Sequence, residues 1–384
     1  MYKHLEEILT ELRNRYSDPH IVVAISGGVD SAVTAMLLKQ AGLKVTAIFM
    51  KNWDEPDEYG TCQWEEDVGD ALDVCEKLGI SINTVDLSQA YWDGVFADFL
   101  REYKLGRTPN PDILCNREVK FKAFLNHVAL LDGDIIATGH YAQITLQGGN
   151  TPPCYQLRRG VDRNKDQSYF LYALGQTQLE KSIFPIGGLE KSTVRQLAKT
   201  AGLAVHTKKD STGICFIGER KFRQFLSEYI AIKQGPIKTL EGQTIGQHSG
   251  TAFYTIGQRE GLGIGGVKGF PQGAWFVAEK SAEENALIVT QGHDHPALMS
   301  SGLVGDEPHW ISGVAPQFPL RCTAQTRYRQ KDEPCTVRQI DGNRVEVSFD
   351  NPQRAVTPGQ SVVFYDESVC LGGAIIDSVS RKPI

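Results

Sequence analysis

The feature that most constrains this fold is a glycine-containing loop between an apolar strand and a helix. Residues 21–25 (IVVAI) form a continuous apolar run, which is typical of a parallel strand covered on both faces. Residues 26–31 (SGGVDS) follow directly, and a helical pattern then runs to Gly42. Glycines permit close backbone approach and the first amides of a helix attract anions, so the loop predicts a phosphate site. We expect Asp30 to cap the helix and to help hold Mg²⁺.

The loop differs from the commonest phosphate loop. It lacks the lysine of G-x-x-x-x-G-K-[ST], which excludes an ordinary P-loop NTPase. It matches SGGxDS, the pyrophosphate loop of enzymes that cut ATP between the α and β phosphates. Residues 261–266 (GLGIGG) formally satisfy G-x-G-x-x-G, but no buried strand precedes them and no helix can follow. We therefore predict a plain loop there rather than a dinucleotide site.

Strand and helix patterns alternate along the first half of the chain. Besides the first strand and helix, we predict strands at 44–50, 81–87 and 134–138 and helices at 65–79, 91–105, 191–202 and 219–232. This alternation predicts an α/β fold with a doubly wound parallel sheet. From about residue 233, short runs between Gly and Pro residues predict small antiparallel sheets or barrels. We expect a catalytic domain at 1–220, a β-rich domain at 221–292 and a C-terminal β-barrel at 293–384.

The net charge of −6 conceals an uneven distribution. Residues 51–76 carry ten acids and one base, which we interpret as a solvated helix face, so the overall charge does not exclude an RNA partner. No apolar run reaches the roughly 18 residues of a membrane span. The N-terminus contains Glu6, Glu7 and Glu11, unlike a secretory signal or a transit peptide. We therefore expect a cytoplasmic protein without a membrane partner.

Two of the eight cysteines stand where a thiol could react. Cys115 follows TPNP, whose prolines should delay the next helix until about Arg117, and Asp112 lies three residues before it as an acid/base candidate. Cys215 stands near Lys208 and Lys209, whose charge would favour a thiolate. No C-x-x-C pair is present, so neither zinc nor an iron–sulfur cluster is expected. We interpret the remaining six as structural: Cys62, Cys75, Cys154, Cys322, Cys335 and Cys370.

Six segments carry a family resemblance: SGGVDS, TPNPDILCN, ATGHYA, KDQSYFL, STGICFIGE and YTIGQREGLGIGG. In this order they closely resemble the bacterial tRNA-specific 2-thiouridylase family, within the ATP-pyrophosphatase superfamily. The resemblance implies transfer of sulfur to the 2-carbonyl of the wobble uridine of tRNA, with ATP converted to AMP and pyrophosphate. It implies ATP as substrate, Mg²⁺ as its companion, and tRNA, a cysteine desulfurase or sulfur-relay carrier, and a cellular reductant as partners.

The resemblance also implies roles for particular residues. The ATP loop would comprise Ala24, Ile25, Ser26, Gly27, Gly28, Val29, Asp30 and Ser31, with Met50 and Gly139 at the adenosine. Asn110, Pro111 and Asp112 would surround the target base. The other tRNA contacts would be His140, Lys165, Asp166, Gln167, Arg327, Tyr328 and Gln360. Cys215 would carry a persulfide and Cys115 would be the second cysteine. Two routes stay open: either hydrogen sulfide is freed first, or the attached sulfur transfers directly. Both routes end in a Cys115–Cys215 disulfide.

Other readings of the residues remain. A ligase on the same fold, activating a small carboxylate or carbonyl for attack by nitrogen, would need no cysteine pair. A non-catalytic nucleotide-binding or RNA-binding module would need neither the pyrophosphate loop nor the Asp112–Cys115 site. His293 and His295 form H-x-H without neighbouring ligands, so we predict no metal site there. We predict that residues 327–329 (RYR) lie on a strand, with both arginines on one face.

Overall fold

The computed structural model describes residues 2–54, 62–148, 153–210 and 222–381. Up to residue 210 its elements are α1 (Lys3–Arg15), β1 (His20–Ile25), α2 (Val29–Gln40), β2 (Lys44–Lys51), α3 (Gln63–Leu78), β3 (Ser81–Asp86), α4 (Ser88–Tyr91), α5 (Ala97–Lys104), α6 (Pro111–Leu114), α7 (Phe124–Leu130), β4 (Ile135–Ala137), β5 (Ala142–Gln147), β6 (Cys154–Arg159), α8 (Ser168–Leu171), α9 (Gln176–Glu180), β7 (Ser182–Ile183) and α10 (Lys191–Thr200). π-Helical turns at Trp92–Phe96 and Cys115–Ala123 join α4 to α5 and α6 to α7.

The predicted parallel sheet is confirmed. Its five strands lie in the order β3-β2-β1-β4-β7, and all six residues of β1 are buried. Successive side chains of a strand point to opposite faces, and here they enter two separate apolar clusters. Val22 and Ala24 belong to one cluster, whereas Ile21, Val23 and Ile25 belong to the other. This two-sided burial explains why the sequence of the first strand is continuously apolar.

The N-terminal helix α1 packs on one face of this sheet. Its apolar side chains Leu5, Ile8, Leu9 and Leu12 are buried in the same cluster as Ile21, Val23 and Ile25. The extension before the first strand is therefore part of the packed structure.

Most predicted elements agree with the structure to within about three residues, but the helix before Cys115 begins earlier than expected. The prediction that TPNP delays the helix to Arg117 is wrong, because α6 starts at Pro111. Asn110 is its N-cap, and the Asn110 side chain accepts a hydrogen bond from the backbone N–H of Asp112 at 3.2 Å. Proline is well suited to the first helical position, where no intrahelical N–H bond is lost. The last proline of TPNP therefore starts a helix.

The second half is built mainly of strands. After α11 (Phe222–Tyr229) come β8 (Gly235–Thr239), β9 (Thr244–His248), β10 (Trp275–Ser281), β11 (Ala286–Gln291), β12 (Met299–Trp310), β13 (Leu320–Gln325), β14 (Glu333–Asp341), β15 (Arg344–Arg354), β16 (Ser361–Asp366) and β17 (Val369–Ser380). The first four form a sheet in the order β10-β11-β8-β9, in which β8 and β11 are parallel rather than antiparallel as expected. Residues 261–266 form the predicted loop.

The last six strands close into the predicted β-barrel, since β17 pairs back to β12. The hairpin β5–β6, from the first half of the chain, continues this sheet by pairing with β17. The hairpin thus connects the parallel-sheet region directly to the barrel. Along the described residues, no helix has the length and apolar character needed to cross a bilayer.

Candidate active site

The predicted phosphate loop lies at the carboxyl end of the central strand. Gly27 has φ +68°, and a Cβ at this position would overlap the backbone carbonyl oxygen of Asp67 on α3. The hydroxyl of Ser31 accepts the backbone N–H of Ser26 and donates to the carbonyl of Gly28, both at 3.1 Å. The turn is therefore tight, and it delivers the chain directly into the N-terminus of α2, where anions are favoured.

Met50 and Gly139 flank the phosphate loop on its two sides. Strand β1 pairs with β2 on one side, with Ile25 opposite Phe49, and with β4 on the other. Met50 is the next residue of β2, and Gly139 follows β4 so closely against α2 that a Cβ there would lie 2.8 Å from the backbone nitrogen of Ser31. The structure therefore brings these predicted nucleotide positions to one edge of the sheet.

Asp30 is held by side chains that the sequence did not indicate. Its carboxylate accepts the Tyr141 hydroxyl at 2.7 Å, and both of its oxygens accept the Lys191 ammonium at 2.8 Å. Burial, followed by the Asp30 charge, raises the pKa of Tyr141 well above its usual range. The expectation that Asp30 caps α2 is wrong, because Gly28 is the N-cap.

This arrangement leaves Asp30 poorly suited to bind Mg²⁺. A carboxylate whose two oxygens already accept an ammonium would have to exchange one cation for another. Among the described residues, no group of three or more potential metal-ligating side chains occurs.

Lys191 is bridged to a second carboxylate, Asp210. The ammonium of Lys191 lies 2.8 Å from Asp210, which also pairs with Lys165 and with Arg195 at 2.7 Å. Burial alone would raise the pKa of Asp210, but hydrogen bonds from Lys165 and Lys191 lower it well below the usual range. No local motif could have indicated this network, because the bond between Asp30 and Lys191 spans 161 positions.

Cys115 lies at the start of the π-helical turn that follows α6. Its side chain is 0% exposed and belongs to the same apolar cluster as Ala24 and Met50. Asp112 stands one helical turn earlier, and Asn110 and Pro111 form the helix start. The predicted base-binding residues and Cys115 therefore occupy one short helical segment, and Cys115 packs into this cluster. Cys215 lies in residues 211–221, outside the described residues.

Lys208, predicted to favour a Cys215 thiolate, is paired with acids of α3. Its ammonium bonds to Asp67 at 2.8 Å and to Asp70. Burial would lower the pKa of Lys208, but these hydrogen bonds raise it. Its charge is thus compensated inside the protein. Four other acids of the acidic stretch 51–76 are exposed, as predicted for a solvated helix face: Glu65, Glu66, Asp73 and Glu76.

The four predicted tRNA-contact residues between positions 140 and 167 are bonded within the protein. Lys165 pairs with Asp210, and Gln167 accepts the backbone N–H of Tyr141 at 3.0 Å. The carboxylate of Asp166 is buried and accepts four hydrogen bonds, from Arg159, Gly160 N and both the N–H and the hydroxyl of Ser168. His140 is also buried, and burial followed by the charge of Lys120 lowers its pKa well below the usual value.

Residues 327–329 form a turn after β13, so the strand prediction is wrong. The turn is closed by Gln330, whose side-chain oxygen accepts both the N–H and the hydroxyl of Thr326 at 2.8 Å. Arg327 donates to the carbonyls of Ile256 and Ala355, which ties the barrel to the four-stranded sheet region. The ring of Tyr328 lies 4.5 Å from that of Phe170, centroid to centroid.

Gln360 belongs to a junction that sequence reasoning missed. Its side-chain amide donates to the carbonyl of Thr108 at 2.7 Å, and the N–H of Thr108 donates to the carbonyl of Pro358 at 3.1 Å. The hydroxyl of Thr108 accepts the Lys280 ammonium at 3.3 Å. We call Thr108, Lys280, Pro358 and Gln360 the Thr108 junction. Both β regions thereby position the loop that leads into α6.

The H-x-H histidines make local contacts. His293 lies 2.6 Å from Asp294, and the ring of His295 accepts the backbone N–H of Ala297 at 3.1 Å. His295 thus caps a short 3₁₀ turn, which gives it a structural role.

The fold and the site define a class: an α/β nucleotide-utilising enzyme with a pyrophosphate loop and two appended β modules. Three family models match it, the tRNA methyl transferase HUP domain at residues 19–219, the tRNA methyl transferase PRC-barrel domain at 223–291 and the Aminomethyltransferase beta-barrel domain at 300–376. Because a curated tRNA-specific 2-thiouridylase is 56% identical over 93% of the chain, the chain belongs to the tRNA-specific 2-thiouridylase family.

Curated relatives support this membership over nearly the whole chain. The tRNA-specific 2-thiouridylase MnmA of Francisella tularensis subsp. holarctica is 56% identical over 356 residues, covering 93% of this chain and 98% of the relative. The enzyme of the same name from Francisella tularensis subsp. novicida is 56% identical over 357 residues, with the same coverage. A solved structure, the U34-tRNA thiolase NcsA from Methanococcus maripaludis, is 17% identical over 59% of this chain and 70% of its own, with a TM-score of 0.36.

Proposed function

We propose that this protein is an ATP-dependent tRNA 2-thiouridylase that replaces the 2-oxygen of the wobble uridine with sulfur. The observation that carries the proposal is the 56% identity to 2-thiouridylases over 93% of the chain. The site geometry supports it, because the phosphate loop, Met50 and Gly139 lie at one edge of the parallel sheet, and Cys115 belongs to the same apolar cluster as Ala24 and Met50. We assign the nucleotide chemistry to residues 1–220 and tRNA contacts to both this region and the barrel at 293–384.

The first chemical step is activation of the base. The uracil 2-oxygen attacks the α-phosphorus of ATP, forming an AMP ester at the carbonyl and releasing pyrophosphate onto the glycine loop. Backbone amides of the loop and of α2 would hold the phosphates. Mg²⁺ would accompany ATP on the phosphate oxygens, since Asp30 is engaged by Lys191. The base must leave the stacked anticodon loop to reach this pocket, which Asn110, Pro111 and Asp112 would line.

Sulfur transfer follows. The terminal sulfur of a Cys215 persulfide attacks C2 of the activated base, and AMP leaves with the former carbonyl oxygen. In this direct route, Cys115 then attacks the sulfur of Cys215 and releases the thiolated base. In the alternative route, Cys115 first attacks the sulfur of Cys215 and frees hydrogen sulfide, which attacks C2 itself and expels AMP. Both routes leave a Cys115–Cys215 disulfide that a cellular reductant must reopen. Asp112, one turn before Cys115, is the proposed acid/base group.

The remaining proposals concern the cellular setting. A cysteine desulfurase or a sulfur-relay carrier would load Cys215, and the reaction would take place in the cytoplasm. The protein's lysine and arginine side chains would hold the tRNA backbone through contacts that salt weakens.

The test is a reconstituted reaction with persulfide-loaded protein, ATP and tRNA, scored for AMP and for 2-thiouridine by nucleoside mass spectrometry. Cys115→Ser and Cys215→Ser should form AMP but no 2-thiouridine, while Cys154→Ser, a half-buried thiol on β6, should behave as wild type. Full thiolation by both serine variants would refute the two-cysteine scheme. AMP formation with a small acid and not with tRNA would instead favour a ligase.

A further inference from the structure

Lys280 is a largely buried lysine that has no role in the proposed mechanism. Lys280 lies near the end of β10 and reaches out of the four-stranded sheet towards the loop before α6. Its Nζ donates to the hydroxyl of Thr108 at 3.3 Å, and Thr108 is only 8% exposed. Lys280 itself is largely buried but keeps part of its surface open to solvent.

No described carboxylate lies within 4 Å of this ammonium, which is unusual for a largely buried charge. Burial alone lowers the pKa of Lys280 to about 8. The charged groups on the adjoining elements are paired with one another, Arg107 with Asp377 at 2.6 Å and Arg381 with Glu279 at 3.5 Å. On the neighbouring strand, the residue opposite Lys280 is Leu287.

Lys238 on β8 of the same sheet has the carboxylate partner that Lys280 lacks among the described residues. Its ammonium pairs with Glu284 at 2.8 Å, so its charge has a counter-ion within the protein. An ammonium taken out of water without a counter-ion is costly, so a site of this kind is electrostatically incomplete until an anion arrives.

The position of Lys280 restricts which anion that can be. Thr108 precedes the N-cap residue Asn110 by two positions, so Lys280 borders the segment proposed to surround the target base. The phosphates of ATP are assigned to the glycine loop at the end of β1. The other polyanionic substrate of the reaction is the tRNA itself.

We propose that Lys280 binds a backbone phosphate of the tRNA next to the uridine that is modified. This inference rests on the proposed function and names a phosphate subsite for it. The phosphate takes the N–H donors of Lys280 that Thr108 does not use, and it fixes the RNA backbone against the loop that carries Asn110. Backbone contacts of this kind set the register of a nucleic acid rather than its sequence.

Two measurable properties follow. A phosphate beside Lys280 favours its protonated form, so tRNA binding takes up a proton and affinity falls as the pH rises above about 8. Neutralising one phosphate also contributes about 0.7 to 0.9 to the slope of log affinity against log salt concentration. An arginine at this position stays charged, so Lys280→Arg should lose the pH dependence while keeping the salt slope.

The experiment measures tRNA affinity of the full-length protein at pH 7, 8 and 9 and at several salt concentrations. Lys280→Met should bind tRNA about tenfold more weakly at pH 7, with a salt slope smaller by about one phosphate contact. Lys238→Met is the matched control on the same sheet and should bind as wild type. Thr108→Val, which removes only the hydroxyl partner, should keep the salt slope.

Unchanged affinity and salt slope in Lys280→Met would overturn the inference. So would a result in which Thr108→Val reproduces the whole loss with the slope unchanged, because Lys280 would then only position the loop. Thiolation by the wild type is scored in parallel. If the wild type thiolates tRNA and Lys280→Met shows no binding defect, only the phosphate subsite fails; if the wild type neither binds nor thiolates tRNA, the proposed function fails.

Discussion

The phosphate-loop edge and the Thr108 junction each contain a largely buried lysine, and they treat its charge in opposite ways. At the phosphate loop, Lys191 lies between the carboxylates of Asp30 and Asp210, at 2.8 Å from each. At the junction, Lys280 has one hydroxyl partner and no described carboxylate within 4 Å. The lysine charge in the first region is therefore neutralised by carboxylates of the protein itself, whereas the lysine charge in the second region has no described counter-ion. The charge of Lys191 thus stabilises the fold, whereas the charge of Lys280 is available to a substrate.

The largest effect is expected from the tight turn at the phosphate-loop edge. Gly27→Ala forces a side chain into a backbone with φ +68° and against the Asp67 carbonyl, so we expect a loss of about 2 to 4 kcal/mol in stability and no AMP formation. Gly28→Ala is the control for stability, since its Cβ would meet only the Ser26 hydroxyl at 3.4 Å. Thermal unfolding measures both, and a wild-type melting temperature in Gly27→Ala would contradict the geometry.

Replacing each lysine by methionine tests the comparison directly. Lys191→Met leaves two carboxylates without their shared cation, and because both are about one-third exposed we expect a loss of about 1 to 3 kcal/mol. Lys280→Met removes an uncompensated ammonium and should be neutral or stabilising at pH 7.

Urea unfolding at pH 7 measures the difference, with Lys199→Met on the exposed side of α10 as the control. Equal destabilisation by Lys191→Met and Lys280→Met would remove the distinction between the two regions.

The stability of the two regions should depend on pH in different pH ranges: both contributions rise with pH, Asp210 in the acid range and Lys280 in the alkaline range. The lowered pKa of Asp210 means that its contribution is present above about pH 4 and is lost as the pH falls below that. The pKa of Lys280 is about 8 when folded against 10.5 otherwise, so the unfolded chain binds more protons between these values. Stability relative to Lys280→Met should therefore rise by about 2.5 kcal/mol from pH 8 to 10.5. The measurement is the free energy of unfolding of the wild type and of Lys280→Met across this pH range. A difference that does not change with pH would show that the charge of Lys280 is already compensated.

The smallest effect is expected from a single hydrogen bond at the junction. Gln360→Ala removes the donor to the Thr108 carbonyl, which should cost about 1 kcal/mol in stability. We expect weaker tRNA thiolation, because the loop before Asn110 is less well held, with ATP binding unchanged. Gln339→Ala on an exposed part of β14 is the control. A Gln360→Ala variant that impaired ATP binding as strongly as thiolation would indicate that the two regions are not separable.

Local patterns were sufficient for much of the fold. The apolar run at 21–25, the SGGVDS turn and the alternating elements predicted the parallel sheet, because strand burial and helix periodicity depend on neighbours in sequence. The start of α6 was missed although its signal was local: Asn110 followed by Pro111 is an N-cap followed by the favoured first-turn proline. The turn at 327–329 has no local strand-breaking signal in its three residues, because the bonds that close it come from Gln330, which donates to the Arg327 carbonyl at 3.2 Å and accepts from Thr326.

The amino-acid sequence by itself determined the class of fold, the position of the phosphate loop and the candidate cysteines, since each depends on a short motif with its own physical rationale. Only the tertiary structure decided which charges are compensated. Lys191 reaches Asp30 across 161 positions, and Lys280 reaches Thr108 across 172. Ion pairing falls off over a few ångströms, so it depends on distances that chain separation does not specify. Two residues of the same type therefore have different roles: Lys191 is an ion-paired part of the folded structure, whereas Lys280 carries a charge without a described counter-ion.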